Sequence, residues 1–264
     1  MSGEPATGMV PWTLILDRPR PGWENMAVDA ALLDRAREHG ERYLRLYQWD
    51  PHCLSFGRHE PARKRYDVDR IRARNIPCVR RPTGGRAVWH ARELTYAVAA
   101  PIAAFGGMRE AYAAIHALLA TALEALGAHP LLAPRASPAP GLASGPCFAL
   151  PVGGEVLVQD RKVVGSAQLR AGDAFLQHGS MLLEDDQQLV RELAGVSGGA
   201  PKEAALASLI GVPVEFSDAA AAVRAAAEAL FEHVELSEGL PGRVSAGVAG
   251  HAGQFQSPEW TWAR

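Results

Sequence analysis

Residues 155–177 read EVLVQDRKVVGSAQLRAGDAFLQ. Short runs of β-branched, aliphatic and aromatic residues predict strands over Glu155–Val158, Lys162–Ser166 and Ala174–Gln177, with Gln159, Asp160 and Arg161 as a hairpin turn between the first two. Upstream, Tyr43–Gln48 and Leu94–Ala99 read as further strands. Helical spacing governs the segments around them. From Asn25 to Arg37 the face is Met26, Ala30, Leu33 and the aliphatic stem of Arg37. From Arg109 to Leu126 it is Tyr112, Ile115, Leu119, Leu123 and Leu126, stopped by Gly127. A third helix is expected over Asp218–Phe231, capped by Ser217. Strands and helices interleave without βαβ regularity, so the expectation is a mixed sheet covered by helices. The segment 129–146 carries five prolines and reads as a long loop, and the Gly-rich tail from Gly239 reads as irregular, with Trp260 and Trp262 docking back on the core.

The chain has 264 residues, enough to bury a core without disulfide staples. No run of about 18 apolar residues is present, which argues against a membrane-spanning helix, and no secretory signal is visible, so cytoplasm is the default compartment. Cys53, Cys78 and Cys147 form no Cys-x-x-Cys pair and no metal-ligand cluster, so neither a disulfide scaffold nor a structural metal is expected. A net charge of -2 argues against charge-driven nucleic-acid binding. The charge is uneven, however. Between Arg58 and Arg92 eleven basic residues face three acidic ones, an excess of eight that suits an acidic protein partner or simply a solvated face.

Three groups of residues can carry chemistry. Residues 80–90, RRPTGGRAVWH, combine Gly84 and Gly85, which admit close backbone approach, with the forked donors of Arg80, Arg81 and Arg86 and with His90. Residues 162–168, KVVGSAQ, place Lys162 ahead of Gly165, Ser166 and Ala167, and His178 and Gly179 follow in QHGS. Only three lysines occur in a chain that otherwise uses arginine, so Lys162 suggests a need for a compact, tunable ammonium; chance placement on a hairpin edge is the plainer reading. Cys147, between Pro146 and Phe148, is oddly placed for a packing cysteine, whereas Cys53 and Cys78 lie beside Leu54 and Val79 and read as buried hydrophobes. A thiol near a lysine ionises more readily than its usual value of roughly 8.5 allows. His90 or His178 could equally serve as its base. There is no dinucleotide fingerprint or P-loop, and no ordered acid partner marks Ser166 or Ser180 as a hydrolase nucleophile.

The runs RRPTGGRAVWHARELTYAV, CF at 147–148, RKVVGSAQLR and FLQHGSMLL occur in that order. With them the sequence resembles the biotin/lipoate A/B protein ligase superfamily, and within it the Cys/Lys octanoyltransferases. The likeness runs from about Trp23, through NMAVDAALL and LRLYQWDPHCLSFGRHE, to Leu183, and the closing SPEWTWAR is also similar. The resemblance implies one catalytic domain over 1–264, with a core over about 23–235 and an irregular tail over 239–264. Its fold would be α/β (α+β), a largely antiparallel mixed sheet flanked by helices. It also implies a ping-pong transfer without cofactor or metal. Octanoyl passes from acyl carrier protein to Cys147, then to a lysine of a lipoyl-domain acceptor such as the glycine-cleavage H protein or a dehydrogenase E2 subunit. Lys162 would lower the thiol pKa or assist proton transfer. Arg80, Arg81, Gly84, Gly85, Arg86, His90, Gly165, Ser166, Ala167, His178 and Gly179 would bind substrate, with Arg81, Gly84, Gly85, His90 and the backbone around Gly165 and Ser166 lining the acyl tunnel and holding the carbonyl.

Two departures stand out. Ala91 follows His90 where related sequences carry Asp, so another group must orient whatever that acid orients. Leu150 to Gly154 replaces an aromatic-rich stretch. An ATP-dependent lipoate ligase is the rival reading, opposed by Arg86 in place of a third glycine, by the lack of chain for an accessory domain, and by Cys147. A biotin ligase lacks its G-R-G-R-x-G pattern here, and a catalytically silent carrier-binding protein would not need Cys147 and Lys162.

Overall fold

A computed structural model describes residues 10–133, 155–184, 187–196 and 203–263. The chain opens with strand β1 (Trp12–Leu16), helix α1 (Gly22–His39) and strand β2 (Arg42–Tyr47). Next come β3 (Cys53–Phe56), the short helices α2 (Ala62–Arg65) and α3 (Val68–Ala73), then β4 (Cys78–Arg80), β5 (Val88–His90) and β6 (Glu93–Pro101). Helix α4 (Met108–Ala125) leads to β7 (Pro130–Leu132). After it stand β8 (Val156–Val158), β9 (Arg161–Lys162), β10 (Val164–Ala171) and β11 (Ala174–Leu182). The remainder is α5 (Gln188–Leu193), α6 (Leu206–Ile210), α7 (Phe216–Leu230), β12 (Val234–Glu238), α8 (Gly242–Gln256) and α9 (Pro258–Thr261).

Six strands form the main sheet in the order β10-β11-β6-β2-β1-β12. Pairings from β10 through β2 are antiparallel, and β1 runs parallel to both β2 and β12. The expected mixed, largely antiparallel sheet is therefore present. Its period of two sorts the core. Leu14, Leu44, Leu46, Tyr96 and Val98 meet α4 and α7 on one face, while Ile15, Tyr43, Tyr47, Ala97 and Ala99 meet α1 on the other. Two small sheets, β4-β3-β5 and β7-β8-β9, flank the main one. The expected turn at 159–161 joins β8 to β9, with Gln159 and Asp160 both at positive φ.

Five expectations need correction. The tail from Gly239 is not irregular: residues 242–256 are helix α8, laid on α1 with Val244 and Phe255 buried. Glycine disfavours an isolated helix, but burial of an apolar face overrides propensity, and Gly247 brings the backbone close enough that an added Cβ would touch Ala31 at 3.4 Å. That covering helix also explains α1, which buries Ala27, Val28, Ala31, Leu32 and Ala36 beyond a single stripe and leaves Arg37 exposed. Ser217 does not cap α7; it lies inside the helix, whose N-cap is Glu215. The strand expected over 162–166 is interrupted at Val163, and the expected loop begins as β7. Trp260 and Trp262 do dock: the Trp260 indole donates to the Arg80 carbonyl at 2.9 Å, and Trp262 lies 5.2 Å from the Phe56 ring.

Candidate active site

The glycine-arginine segment bridges β4 and β5 and folds back over β3. The Arg81 amide donates to the Phe56 carbonyl and the Arg58 amide to the Thr83 carbonyl, each at 2.8 Å. Gly57 beneath this loop has no room for a side chain, because a Cβ there would stand 1.9 Å from the Gly85 carbonyl oxygen. The Arg81 guanidinium, 5% exposed, spends its fork inside the loop. Its Nη1 donates to the Ser55 hydroxyl (2.5 Å) and carbonyl (3.1 Å), and its Nη2 to the Gly84 and Arg86 carbonyls. Arg80 faces the other way, as alternate residues of a strand do. It is wholly buried and donates to the carbonyls of Gly57, Glu60, Trp260 and Thr261.

One pocket gathers most of the residues singled out from the sequence. Its floor and walls include Met26, Tyr47, Trp49 and Val88, with Arg81, His90 and Thr95 beside them. The opposite wall is Gly165, Ser166 and Ala167 from β10 and His178, Gly179 and Ser180 from β11. Those two strands face each other in register, Gly165 to Ser180 and Ser166 to Gly179. A Cβ on Gly179 would lie 2.3 Å from the Gly165 oxygen and 2.8 Å from the Tyr96 ring, so glycine is demanded there by space. Among the described residues, Arg80, Gly84, Gly85 and Arg86 do not line this pocket; they shape the loop that carries Arg81 and Thr83.

Polar groups around the pocket are tied to a buried ionic web. His178 accepts or donates at both ring nitrogens, 2.6 Å from Thr83 Oγ1 and 3.0 Å from Asp29 Oδ2. Asp29 also receives the Tyr47 hydroxyl (2.9 Å) and Arg45 Nη1 (2.8 Å). Arg45, fully buried, reaches on to Asp17 and Asn25. Burial alone would raise the Asp17 carboxyl's pKa, but the hydrogen bonds and charges of Arg20 and Arg45 hold it below the ordinary carboxylate value. His90 stacks on Trp49 at 3.9 Å and 13°, with Nδ1 2.6 Å from Glu93 Oε1 and Nε2 2.5 Å from Ser55 Oγ. Burial drives its pKa down, against the pull of Glu93. Ser166 Oγ meets both the Tyr96 hydroxyl (2.6 Å) and His116 Nε2 (2.8 Å).

Lys162 ends β9 with its ammonium 2.5 Å from Glu155 Oε1, both side chains 3% exposed. Only Val163 separates it from β10, the strand whose Gly165 to Ala167 segment forms a pocket wall. Cys147 lies outside the described residues. The other two cysteines behave as packing residues: burial pushes the Cys53 thiol well up and the Cys78 thiol to about 12, so neither is a ready thiolate.

Residues 21–227 match the lipoyl protein ligase A/B catalytic domain family. The chain belongs to that family. It is similar to Octanoyltransferase LipM of Symbiobacterium thermophilum, 36% identical over 79% of this chain and 82% of that relative. It is also similar to Octanoyltransferase LipM of Kyrpidia tusciae, 40% identical over 68% of this chain and 69% of that relative. A solved structure of lipoate-protein ligase A bound with ATP aligns with a TM-score of 0.80 over 96% of this chain and 99% of that one, at 17% identity, a likeness of fold.

Within this lipoyl ligase-type domain, sequence reasoning missed Ser55, Glu93, Asp29, His116 and Glu155. Glu93 left a trace, as the one acidic residue heading the apolar run LTYAVAA. Asp29 left another, an acid in the middle of an otherwise apolar helix segment, AVDAALL. Ser55 and His116 left none, since their partners lie 35 and 50 residues away along the chain.

Proposed function

We propose that this chain is an octanoyltransferase of lipoate biosynthesis that works through a thioester on Cys147. The observation that carries the reading is its similarity at 31–40% identity to several proteins named Octanoyltransferase LipM, in a chain that has a cysteine at 147 and a lysine at 162. The pocket chemistry agrees with an acyl group: Met26, Tyr47, Trp49, Val88 and Ala167 offer apolar surface. The donor would be octanoyl-loaded acyl carrier protein and the acceptor a lipoyl-domain lysine, as in the glycine-cleavage H protein or an E2 subunit.

In the first step the Cys147 thiolate attacks the donor thioester carbonyl. A new carbon–sulfur bond forms, the old one breaks, and the carrier's thiolate leaves and takes up the proton that Cys147 released. In the second step the acceptor's neutral ε-amine attacks the Cys147 thioester; the carbon–nitrogen bond forms, the carbon–sulfur bond breaks, and the amine's proton leaves. Exchange between two thioesters is near isoenergetic and requires no ATP. Lys162, held as an ammonium partner by Glu155, supplies positive charge to the thiolate.

Intact-protein mass spectrometry after incubation with octanoyl-acyl carrier protein, without ATP, tests the reading. A hydroxylamine-sensitive octanoyl adduct on the wild type, absent in Cys147→Ser, is the expected result. No adduct, with transfer only when ATP and free lipoate are supplied, would make the chain a ligase.

A further inference from the structure

The hydrogen bonds around His90 have only one consistent direction. Arg81 and Trp49 can only donate. Arg81 Nη1 donates to Ser55 Oγ at 2.5 Å, so the Ser55 proton must point elsewhere, and His90 Nε2 stands 2.5 Å away. Ser55 is fully buried, and among the described residues its hydroxyl hydrogen-bonds to Arg81 and His90, of which His90 alone can accept. Trp49 Nε1 donates to Thr95 Oγ1 (2.7 Å), so Thr95 in turn donates to Glu93 Oε1 (2.5 Å). Ser180 donates to the same oxygen at 2.9 Å, and His90 Nδ1 lies 2.6 Å from it. Nδ1 therefore carries the proton and Nε2 accepts. The opposite tautomer would set a nitrogen lone pair against a carboxylate. The imidazolium would turn Nε2–H toward the Ser55 oxygen, which already accepts from Arg81, and leave the buried serine proton without its acceptor.

Other groups facing the ring are consistent with this state. Arg81 and His178 disfavour added positive charge, Glu93 favours it, and the β3 neighbour paired with His90 is the undissociated Cys53. Ala91 brings no carboxylate to the motif; Glu93, two residues further on, reaches the ring instead.

We propose that Glu93 is a positioning residue for acyl transfer: with Ser55 it locks His90 as the neutral Nδ1–H imidazole, a fixed uncharged wall stacked on Trp49 in the acyl pocket, and not a proton carrier. The role in transfer rests on the octanoyltransferase reading above; the lock itself does not. Both ring nitrogens are spent on the protein, so the face of the ring is what remains for substrate.

Nitrogen-15 NMR of the full-length protein labelled at histidine, with His90 assigned by its loss in His90→Gln, reads the lock without substrate. The expected result is a protonated Nδ1 and bare Nε2 that do not titrate between about pH 5 and 8. Glu93→Gln should then show mixed tautomers and a KM for octanoyl-acyl carrier protein raised about tenfold or more, the scale of a lost hydrogen bond to a charged group. The pH limbs of kcat should stay in place. A wild-type His90 that titrates in this window, or a kcat limb that moves in Glu93→Gln, overturns the proposal. If Glu93→Gln does not fold, Ser55→Ala tests the other end: Nδ1 should stay protonated while KM rises, and a switch of tautomer would overturn the lock. Failure of the octanoyl assignment would appear separately, as wild-type protein that takes up no acyl group.

Discussion

Arg80 and Arg81 are neighbours with opposite tasks. Strand alternation sends one under the C-terminal turn, where backbone carbonyls consume it, and the other to the pocket rim. The sequence marked both as candidate ligands, because residue type reveals donor capacity and not direction. Gly165, Ser166, Ala167, His178 and Gly179 were legible as a group, and register is why: β10 and β11 bring the two motifs face to face. Gly179→Ala should cost about 1–3 kcal/mol from overpacking and abolish transfer, since a methyl group must displace the Gly165 carbonyl or the Tyr96 ring. Thermal melts together with acyl-transfer assays check both parts. At the same scale, Cys147→Ser and Lys162→Ala should each remove activity while Cys53→Ser and Cys78→Ser retain it. Wild-type turnover by the Cys147 variant would defeat the thioester mechanism.

Periodicity found α1, α4 and α7 and the hairpin at 159–161, because each carries its own pattern of apolar positions and turn residues. It failed for α8, whose four glycines argue against a helix: what makes 242–256 a helix is α1 beneath it, information that no local window holds. Phe255 is the test of that account. It is 3% exposed and packs with Val244 in the cluster beneath α8, so Phe255→Ala should destabilise the protein by about 3–5 kcal/mol. Gln254→Ala on the exposed side should leave the urea midpoint nearly unchanged. Equal effects of the two substitutions would mean that α8 owes little to its buried face.

Three helical and sheet layers enclose charged groups that titrate abnormally, and the whole molecule's response to acid follows. His90 has a folded pKa below its ordinary value, so the unfolded chain binds more protons as pH falls. That share of stability is complete above about pH 6.5 and is lost as pH drops toward the folded value. The Asp17 share, also from a depressed value, is lost lower still, below about pH 4. Denaturant midpoints should therefore fall between about pH 7 and 5, and His90→Gln should flatten that interval without removing the steeper loss in stronger acid. A difference that persists in the variant would put the titration elsewhere. The clasp from Arg80 to Trp260 and Thr261 bears on how the protein is made. Every described residue that lines the pocket has been synthesised by position 180, yet the carbonyls that seat the strand bearing the motif belong to Trp260 and Thr261, some eighty residues later. A nascent polypeptide stalled before residue 260 would hold the described pocket side chains without the carbonyls that seat Arg80, so the motif's strand is braced only once that later turn has been made.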